Sequence, residues 1–359
     1  MTKLLKHPLF ITFITVVLIS ILPYILPKAK EVKLSDNQLR ALALNEKMLP
    51  TPKSYKELLK VVDTKDNPLS IEKIKLGKKL FFDKRLSKDK TINCASCHLL
   101  NDGGDDNIAC AIGYKGRANP YHLNSPTVLN AALLKYQFWD GRASTVEEQA
   151  GGPIQAPFEM AMSKEESVKR VKEDAQYNKS FQKIFKEDVT FENIKKAIGA
   201  YERTLITYGD YDRFLDGNNS AISKSAKRGM TLFLTRGCKG CHSGMSIGGE
   251  TMQKFPLHFY FEDYAGVIFN PNIKIKDSPF PFENKGGFLG ATNTLKFRVP
   301  TLRNIEKTSP YFHNGAIKDL KEAVRLMSKY QLGDEFNKQE INDMVEFLKT
   351  LNGDIVKYY

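Results

Sequence analysis

Apolar and polar positions divide the chain into one long apolar segment, a series of amphipathic helical segments, and one stretch with no clear period. Residues 8–26, PLFITFITVVLISILPYIL, carry no charge over 19 positions, with Lys3 and Lys6 before them and Lys28 and Lys30 after. That length can just span a bilayer. A cleaved signal peptide also has a basic start and an apolar middle. Its apolar part is usually shorter, however, and it ends in an A-x-A-like site, which is missing here. The segment is expected to be an uncleaved anchor in preference to a cleaved signal, and in both cases the bulk of the chain is exported across the inner membrane.

Beyond it the pattern predicts a mainly helical protein. Ser70 to Phe82 and Ser223 to Leu234 read as amphipathic helices, and Ser163-Lys164-Glu165-Glu166 is a capping-box start for a helix to about Ala175. Ile194, Ala197, Ile198, Tyr201 and Leu205 form an apolar stripe at helical spacing, as a core face does. Residues 318–328 and 338–351 also suggest helices. Residues 250–297 are rich in Gly, Pro and aromatics without helical period, and read as a long loop with room for short strands.

With 359 residues, 42% of them apolar and 11% aromatic, the chain can build two cores. The net charge is +13; the first 30 residues hold four lysines and no acid, leaving +9 on the remainder. A basic balance fits nucleic acid, anionic membranes or acidic partners. Export, and the interleaving of Lys/Arg with Asp/Glu along the chain, argue against nucleic acid. Most of this charge reads as a solvated lysine-rich surface.

Five cysteines in an exported chain would ordinarily suggest disulfides plus a free thiol. The spacing overrules that. Cys94-Ala95-Ser96-Cys97-His98 and Cys238-Lys239-Gly240-Cys241-His242 are both C-x-x-C-H, and only Cys110 is left over, by default a small buried hydrophobe. In C-x-x-C-H two thiols one turn apart add to the vinyl groups of a haem, and the next histidine lies under the iron as proximal ligand. A zinc site is the competing reading. It is disfavoured because the trailing histidine recurs at both motifs and the pairs lie in separate repeats.

The repeats extend well past the motifs. Gly77-Lys78-Lys79-Leu80-Phe81-Phe82 precedes the first motif and Gly229-Met230-Thr231-Leu232-Phe233-Leu234 the second. Pro126-Thr127-Val128-Leu129-Asn130 follows the first, with Phe138-Trp139-Asp140-Gly141 twelve residues beyond the proline; Pro300-Thr301-Leu302-Arg303-Asn304 and Phe312-His313-Asn314-Gly315 repeat that spacing after the second. Trp139, the chain's single tryptophan, thus occupies the slot of His313. Two copies of one haem-binding unit follow. The expected organisation is an anchor or signal segment (1–30), a linker with an N-terminal helix (31–65), and two tandem cytochrome c-like haem domains (66–210 and 211–359).

The second axial ligand decides what each haem does, since two strong ligands favour electron transfer and an open face admits peroxide. For the second haem the residue pattern leaves Met245, Met252, His258, His313, Met327 and Met344 as candidates. Met327 ends the predicted helix that carries it, where a rigid element can aim the thioether.

The chain resembles the bacterial dihaem cytochrome c peroxidases. The resemblance rests on LGKKLFFDKRLS (76–87), NSPTVLNA (124–131), QFWDGRA (137–143), QAGGPIQAPFEM (149–160), GCKGCHSG (237–244) and FRVPTLRNIEKTSPYFHNG (297–315). It implies His242 and Met327 as the axial pair of a high-potential electron-transfer haem, and His98 as proximal ligand of a low-potential peroxidatic haem. Glu159 falls at the distal catalytic glutamate, Gln149 at the glutamine beside it, and Trp139 at the tryptophan between the haems. Asn124, Thr308 and Pro310 match residues around an interdomain calcium ion. Methionine at 327 separates the chain from methylamine-utilisation relatives, which have tyrosine there.

One departure bears on activation. Many members close the peroxidatic haem with a histidine in an I-G-H segment; here it reads Ile112-Gly113-Tyr114, in a loop two residues longer than the pattern, and His122 follows eight residues later. Either His122 replaces the missing ligand, or the distal face is open at rest, or His122 is a loop residue without iron contact. The resemblance implies reduction of H2O2 to water, with Glu159 moving a proton between the peroxide oxygens, Gln149 orienting the substrate, and Trp139 carrying an electron from the second haem. Electrons would come from a small periplasmic c-type cytochrome or copper protein. Relatives often dimerise, which leaves a homodimer open. The rival of a different class is a dihaem electron-transfer or redox-sensing protein without turnover.

Overall fold

The computed structural model describes residues 32–258, 260 and 279–359, and the expected anchor segment lies outside them. Among the described residues no helix is long and apolar enough to cross a membrane. The described chain is mainly helical: α1 (Asp36–Asn45), α2 (Tyr55–Val62), α3 (Ile71–Phe81), α4 (Val146–Gln155), α5 (Lys164–Lys172), α6 (Ala175–Phe185), α7 (Phe191–Glu202), α8 (Asp210–Leu215), α9 (Lys224–Thr235), α10 (Leu320–Leu332) and α11 (Lys338–Thr350). Four short strands form two antiparallel pairs. In one, β1 (Thr207–Gly209) joins β4 (Gly353–Ile355); in the other, β2 (Met252–Lys254) joins β3 (Lys296–Arg298).

The helices that feed the two C-x-x-C-H motifs start alike, with Ser70 accepting from the Lys73 amide and Ser223 from the Ala226 amide. Each then crosses a later helix at a glycine. A Cβ on Gly77 would lie 1.8 Å from the Ala197 carbonyl oxygen of α7, and one on Gly229 would lie 1.9 Å from the Asp343 carbonyl oxygen of α11. Only glycine lets these backbones approach so closely. An aromatic pair closes each crossing, Phe81 with Tyr201 at 5.3 Å and Phe233 with Phe347 at 5.2 Å between ring centroids.

The repeat therefore exists in three dimensions. It continues in the loops: Asn130 and Asn304 both adopt left-handed backbone before a short 3-10 turn, and the bridge Gln137↔Ala143 recurs as Tyr311↔Ile317.

The segment before the first haem unit is held against the second. The Gly244 amide donates to the Glu46 carbonyl at 3.1 Å, and the Lys227 ammonium pairs with Asp36 at 2.9 Å. Deeper in, Arg303 and Asp212 form a two-pronged ion pair of 2.9 and 3.0 Å with side-chain exposures of 0% and 1%. The Thr51 amide also donates to Asp212, and the Arg303 Nε donates to the Met245 carbonyl. Removing one partner leaves a buried charge uncompensated, so Arg303→Ala should lower unfolding stability by about 3–5 kcal/mol. Chemical denaturation of the haem-loaded protein checks this, and a loss under about 1 kcal/mol would contradict it.

Three expectations change. The helix begun by the Ser163 cap stops at Lys172, because Asp174 caps a separate helix by accepting from the Gln176 and Tyr177 amides. The helix carrying Met327 runs on to Leu332, where Gly333 ends it in left-handed conformation, so Met327 lies within the helix. Leu205 is buried, but it lies past the end of α7. In the 250–297 stretch the described part contains β2, β3 and a knot of stacked aromatics around Phe280 and Phe282.

Candidate functional site

Both C-x-x-C-H motifs fold as one tight turn. The Cys97 amide donates to the Cys94 carbonyl at 3.2 Å and the His98 amide to the same oxygen at 3.1 Å; in the second motif Cys241 and His242 repeat this with Cys238 at 3.2 and 3.0 Å. No disulfide joins any of the five cysteines. Burial pushes the Cys238 thiol up to about 12, and it pushes the Cys97 thiol to about 12 with further upward pressure from the nearby Asp106 and Glu159 carboxylates. His98 Nδ1 lies 3.1 Å from the Gly104 carbonyl, which orients the ring and leaves Nε2 for an iron. Burial lowers the pKa of His98, and brings that of His242 down to about 4, so both rings present a neutral nitrogen.

A deep, mainly apolar cavity is lined by Cys238, Cys241, His242 and, from α10, Met327. This donor set fits a c-type haem: two thiols for the vinyl groups and a nitrogen and a thioether for the metal. His313 and Met344 share the lining, whereas Met245, Met252 and His258 do not. His313 is already engaged, its Nε2 lying 2.9 Å from Asn284 Oδ1.

Trp139 lines the same cavity, and its indole Nε1 donates to the Asn124 carbonyl at 2.9 Å. Its ring meets that of His313, its counterpart in the other repeat, edge-on at 6.5 Å. The two repeats meet here with local two-fold character. The Asn124 amide donates to the His313 carbonyl at 2.8 Å, and the Arg298 amide donates to the Trp139 carbonyl at 2.8 Å. Arg298 is the repeat counterpart of Asn124, and the side chains follow suit: Asn124 Nδ2 donates to the Pro310 and Phe312 carbonyls, and Arg298 Nε to the Phe138 carbonyl.

Glu159 follows α4 and is half-buried; burial raises its pKa, with a smaller downward pull from Arg142. Its carbonyl accepts from the Tyr114 amide at 2.7 Å, which fastens the Ile112-Gly113-Tyr114 loop to the carboxylate-bearing segment. A Cβ on Gly113 would lie 2.6 Å from Glu159 Cα, and Cys97 Sγ lies 4.0 Å from the Ile112 carbonyl, so the Glu159 segment packs on the loop beside the first motif. Gln149 sits half-buried on α4, and among the described residues its side chain makes no hydrogen bond to Glu159. The Tyr114 ring lies in an outer groove with Lys88, Lys115 and Arg117 at 5.5–5.8 Å. His122 has left-handed backbone (φ 49°), and its Nδ1 is buried without a hydrogen-bond partner. Cys110 packs its thiol on the Ala111 and Asn119 carbonyls.

The interface also holds orphaned polar atoms. Asn124 Oδ1 has no partner, nor has either carboxylate oxygen of Asp105, which is 1% exposed. Burial pushes the Asp105 pKa up to about 7 against a smaller opposing pull from nearby backbone amides. Thr308 and Pro310 line the cavity beside them. Unpaired oxygens converging in a buried place suit a hard cation. Arg298, whose pKa burial lowers to about 10, is buried with Nη1 unpartnered in the same cavity. Sequence reasoning missed Asp105 and Arg298, and the repeat offset that pairs Arg298 with Asn124 was the available signal for the latter.

Two family models cover most of this region, one described as di-haem cytochrome c peroxidase over residues 71–220 and one described as cytochrome c over residues 226–352. The chain is similar to the cytochrome c551 peroxidase of Nitrosomonas europaea, 42% identical over 296 residues that cover 80% of this chain and 82% of that protein. It is likewise similar to the cytochrome c551 peroxidase of Pseudomonas aeruginosa, 36% identical over 301 residues covering 82% of each. Among solved structures, a MauG-like protein associated with microbial copper homeostasis matches with a TM-score of 0.65 at 28% identity, over 86% of this chain and 94% of that one.

Proposed function

The chain belongs to the di-haem cytochrome c peroxidase family, and on that premise we propose that it reduces hydrogen peroxide to water with electrons from a small c-type cytochrome or copper protein. The observation that carries the reading is the pair of equivalent C-x-x-C-H turns placed in unlike surroundings, one beside the loop on which the half-buried Glu159 packs and the other beside Met327. When bound, the two c-type haems supply an iron at which the O–O bond accepts two electrons and a second iron that stores one of them. Cys94, Cys97 and His98 would hold the first, and Cys238, Cys241, His242 and Met327 the second.

Glu159 takes the proton from one peroxide oxygen and returns it to the other, so that the departing oxygen leaves as water. Gln149 orients the peroxide. Trp139 relays the stored electron, which its place in the second cavity and its bond to the Asn124 backbone support. Trp139→Phe should slow transfer between haems by about tenfold or more while leaving both haem spectra intact, and rapid-mixing absorption reads this directly. A calcium ion at Asn124, Thr308 and Pro310 steadies the joint between repeats. The N-terminal segment tethers the protein on the periplasmic side of the inner membrane.

As general base Glu159 must be ionised, so kcat/KM falls as pH drops through its pKa. Because burial raises that pKa, the acid limb should lie above the ordinary glutamate value of about 4.3. Arg142→Gln removes the opposing positive charge and should move the limb to higher pH; a limb that stays put or moves down counts against the assignment.

In this account no side chain of the Ile112-Gly113-Tyr114 segment would close the site of the first haem, since the Tyr114 ring packs among Lys88, Lys115 and Arg117. A second reading, His122 as reversible ligand, is favoured by its unpartnered buried Nδ1. Electron paramagnetic resonance of the fully oxidised protein separates them. A high-spin ferric signal sinks the His122 reading, and a wholly low-spin spectrum sinks the open one.

A further inference from the structure

Asp105 sits where a lone carboxylate should not. It is 1% exposed, and neither of its oxygens has a partner at hydrogen-bond geometry, although its own amide and that of Asn107 lie close enough to favour the charge slightly. A buried unpaired charge costs several kcal/mol, and such groups are normally paired or bound to a cation. No lysine or arginine among the described residues forms an ion pair with it. Arg298, in the same cavity, donates instead to the Phe138 carbonyl.

The neighbours of Asp105 are acceptors as well. A Cβ built on Gly103 would crowd both Asp105 Oδ1 at 2.8 Å and the Lys307 carbonyl at 2.4 Å, which puts the carboxylate against the strand of chain entering Thr308. Asn124 Oδ1 is unpartnered beside the Pro310 carbonyl. Oxygens thus converge from two separate segments, and the one side-chain donor placed among them, Asn124 Nδ2, is taken up by the Pro310 and Phe312 carbonyls.

The two-fold character of the joint supplies the second argument. At the counterpart of Asn124 stands Arg298, whose guanidinium brings a fixed positive charge to its half of the interface. On the Asn124 half no basic side chain takes that role, and a negative one, Asp105, is present instead. The half with the built-in cation has no need of a metal, whereas the half with the built-in anion does.

We propose that Asp105 is the charge-bearing ligand of the interdomain cation, joining Asn124, Thr308 and Pro310 in an oxygen site for Ca2+. This rests on the calcium reading given above and adds to it the group that carries the negative charge.

The test titrates Ca2+ into chelator-treated, haem-loaded protein by calorimetry and compares it with Asp105→Asn. The native protein should bind one Ca2+ saturably, and the variant should bind it about 10–100-fold more weakly. A second readout separates ligation from a packing role. In chelator alone the variant should melt no lower than the native protein, since it removes an uncompensated charge, and Ca2+ should raise its Tm less. A Kd within twofold of native, or an unchanged Ca2+-induced rise, overturns the role of Asp105 and leaves the calcium site standing. Failure of the native protein to bind Ca2+ overturns the site itself.

Discussion

Glu159→Gln should lower peroxide turnover by about 10²–10⁴-fold, the range over which a positioned proton-transfer group acts, while both haem spectra stay nearly native. Several features converge on this side chain. It is half-buried, its pKa is raised by burial, and its segment packs on the Ile112-Gly113-Tyr114 loop beside Cys97. The second unit presents a thioether from Met327 to its cavity. Glutamine keeps the shape and one acceptor but cannot take a proton, so binding survives and O–O cleavage does not. Substrate affinity measured under single-turnover conditions should change little. Normal activity in the variant would refute the assignment.

Met327→His should act on the other haem. Methionine paired with histidine raises a haem potential, and a second histidine lowers it. Axial ligands shift haem potentials across about 0.8 V, so a fall on the order of 0.1 V or more is expected. The consequence is selective: the donor no longer delivers its electron to the second haem, and steady-state turnover falls by about tenfold or more. Protein reduced chemically beforehand should still react with peroxide. Spectroelectrochemistry reads the potential directly. An unchanged value would remove Met327 as ligand and turn attention to His313 and Met344, which line the same cavity.

Much of this is legible in the sequence, because the chemistry is local in it. A C-x-x-C-H fixes its own turn, and the offset between repeats is the same one that separates the bridges Gln137↔Ala143 and Tyr311↔Ile317. Serine caps marked the starts of α3 and α9 to within a residue. The break between α5 and α6 was missed, because a polar, helix-compatible sequence runs straight through it and only the Asp174 cap divides it.

Asp105 was hidden for a different reason. It stands in Asn101-Asp102-Gly103-Gly104-Asp105-Asp106-Asn107, a run that reads as solvated loop, whereas in the fold Thr127 and Leu129 and the Lys307 carbonyl of the second repeat pack against that loop. The pairing of Asn124 with Arg298 was implicit in the repeat offset, but an offset says which residues are equivalent and not which of them touch. Contact between the repeats is a tertiary fact.

The measurement that bears most directly on the account is rapid mixing of half-reduced, haem-loaded protein with one equivalent of hydrogen peroxide. Fast reoxidation of the haem held by His242, with water formed in proportion to the electrons consumed, is the predicted result. A half-reduced protein that keeps its electron in the presence of peroxide would contradict the account and leave an electron carrier or redox sensor in its place.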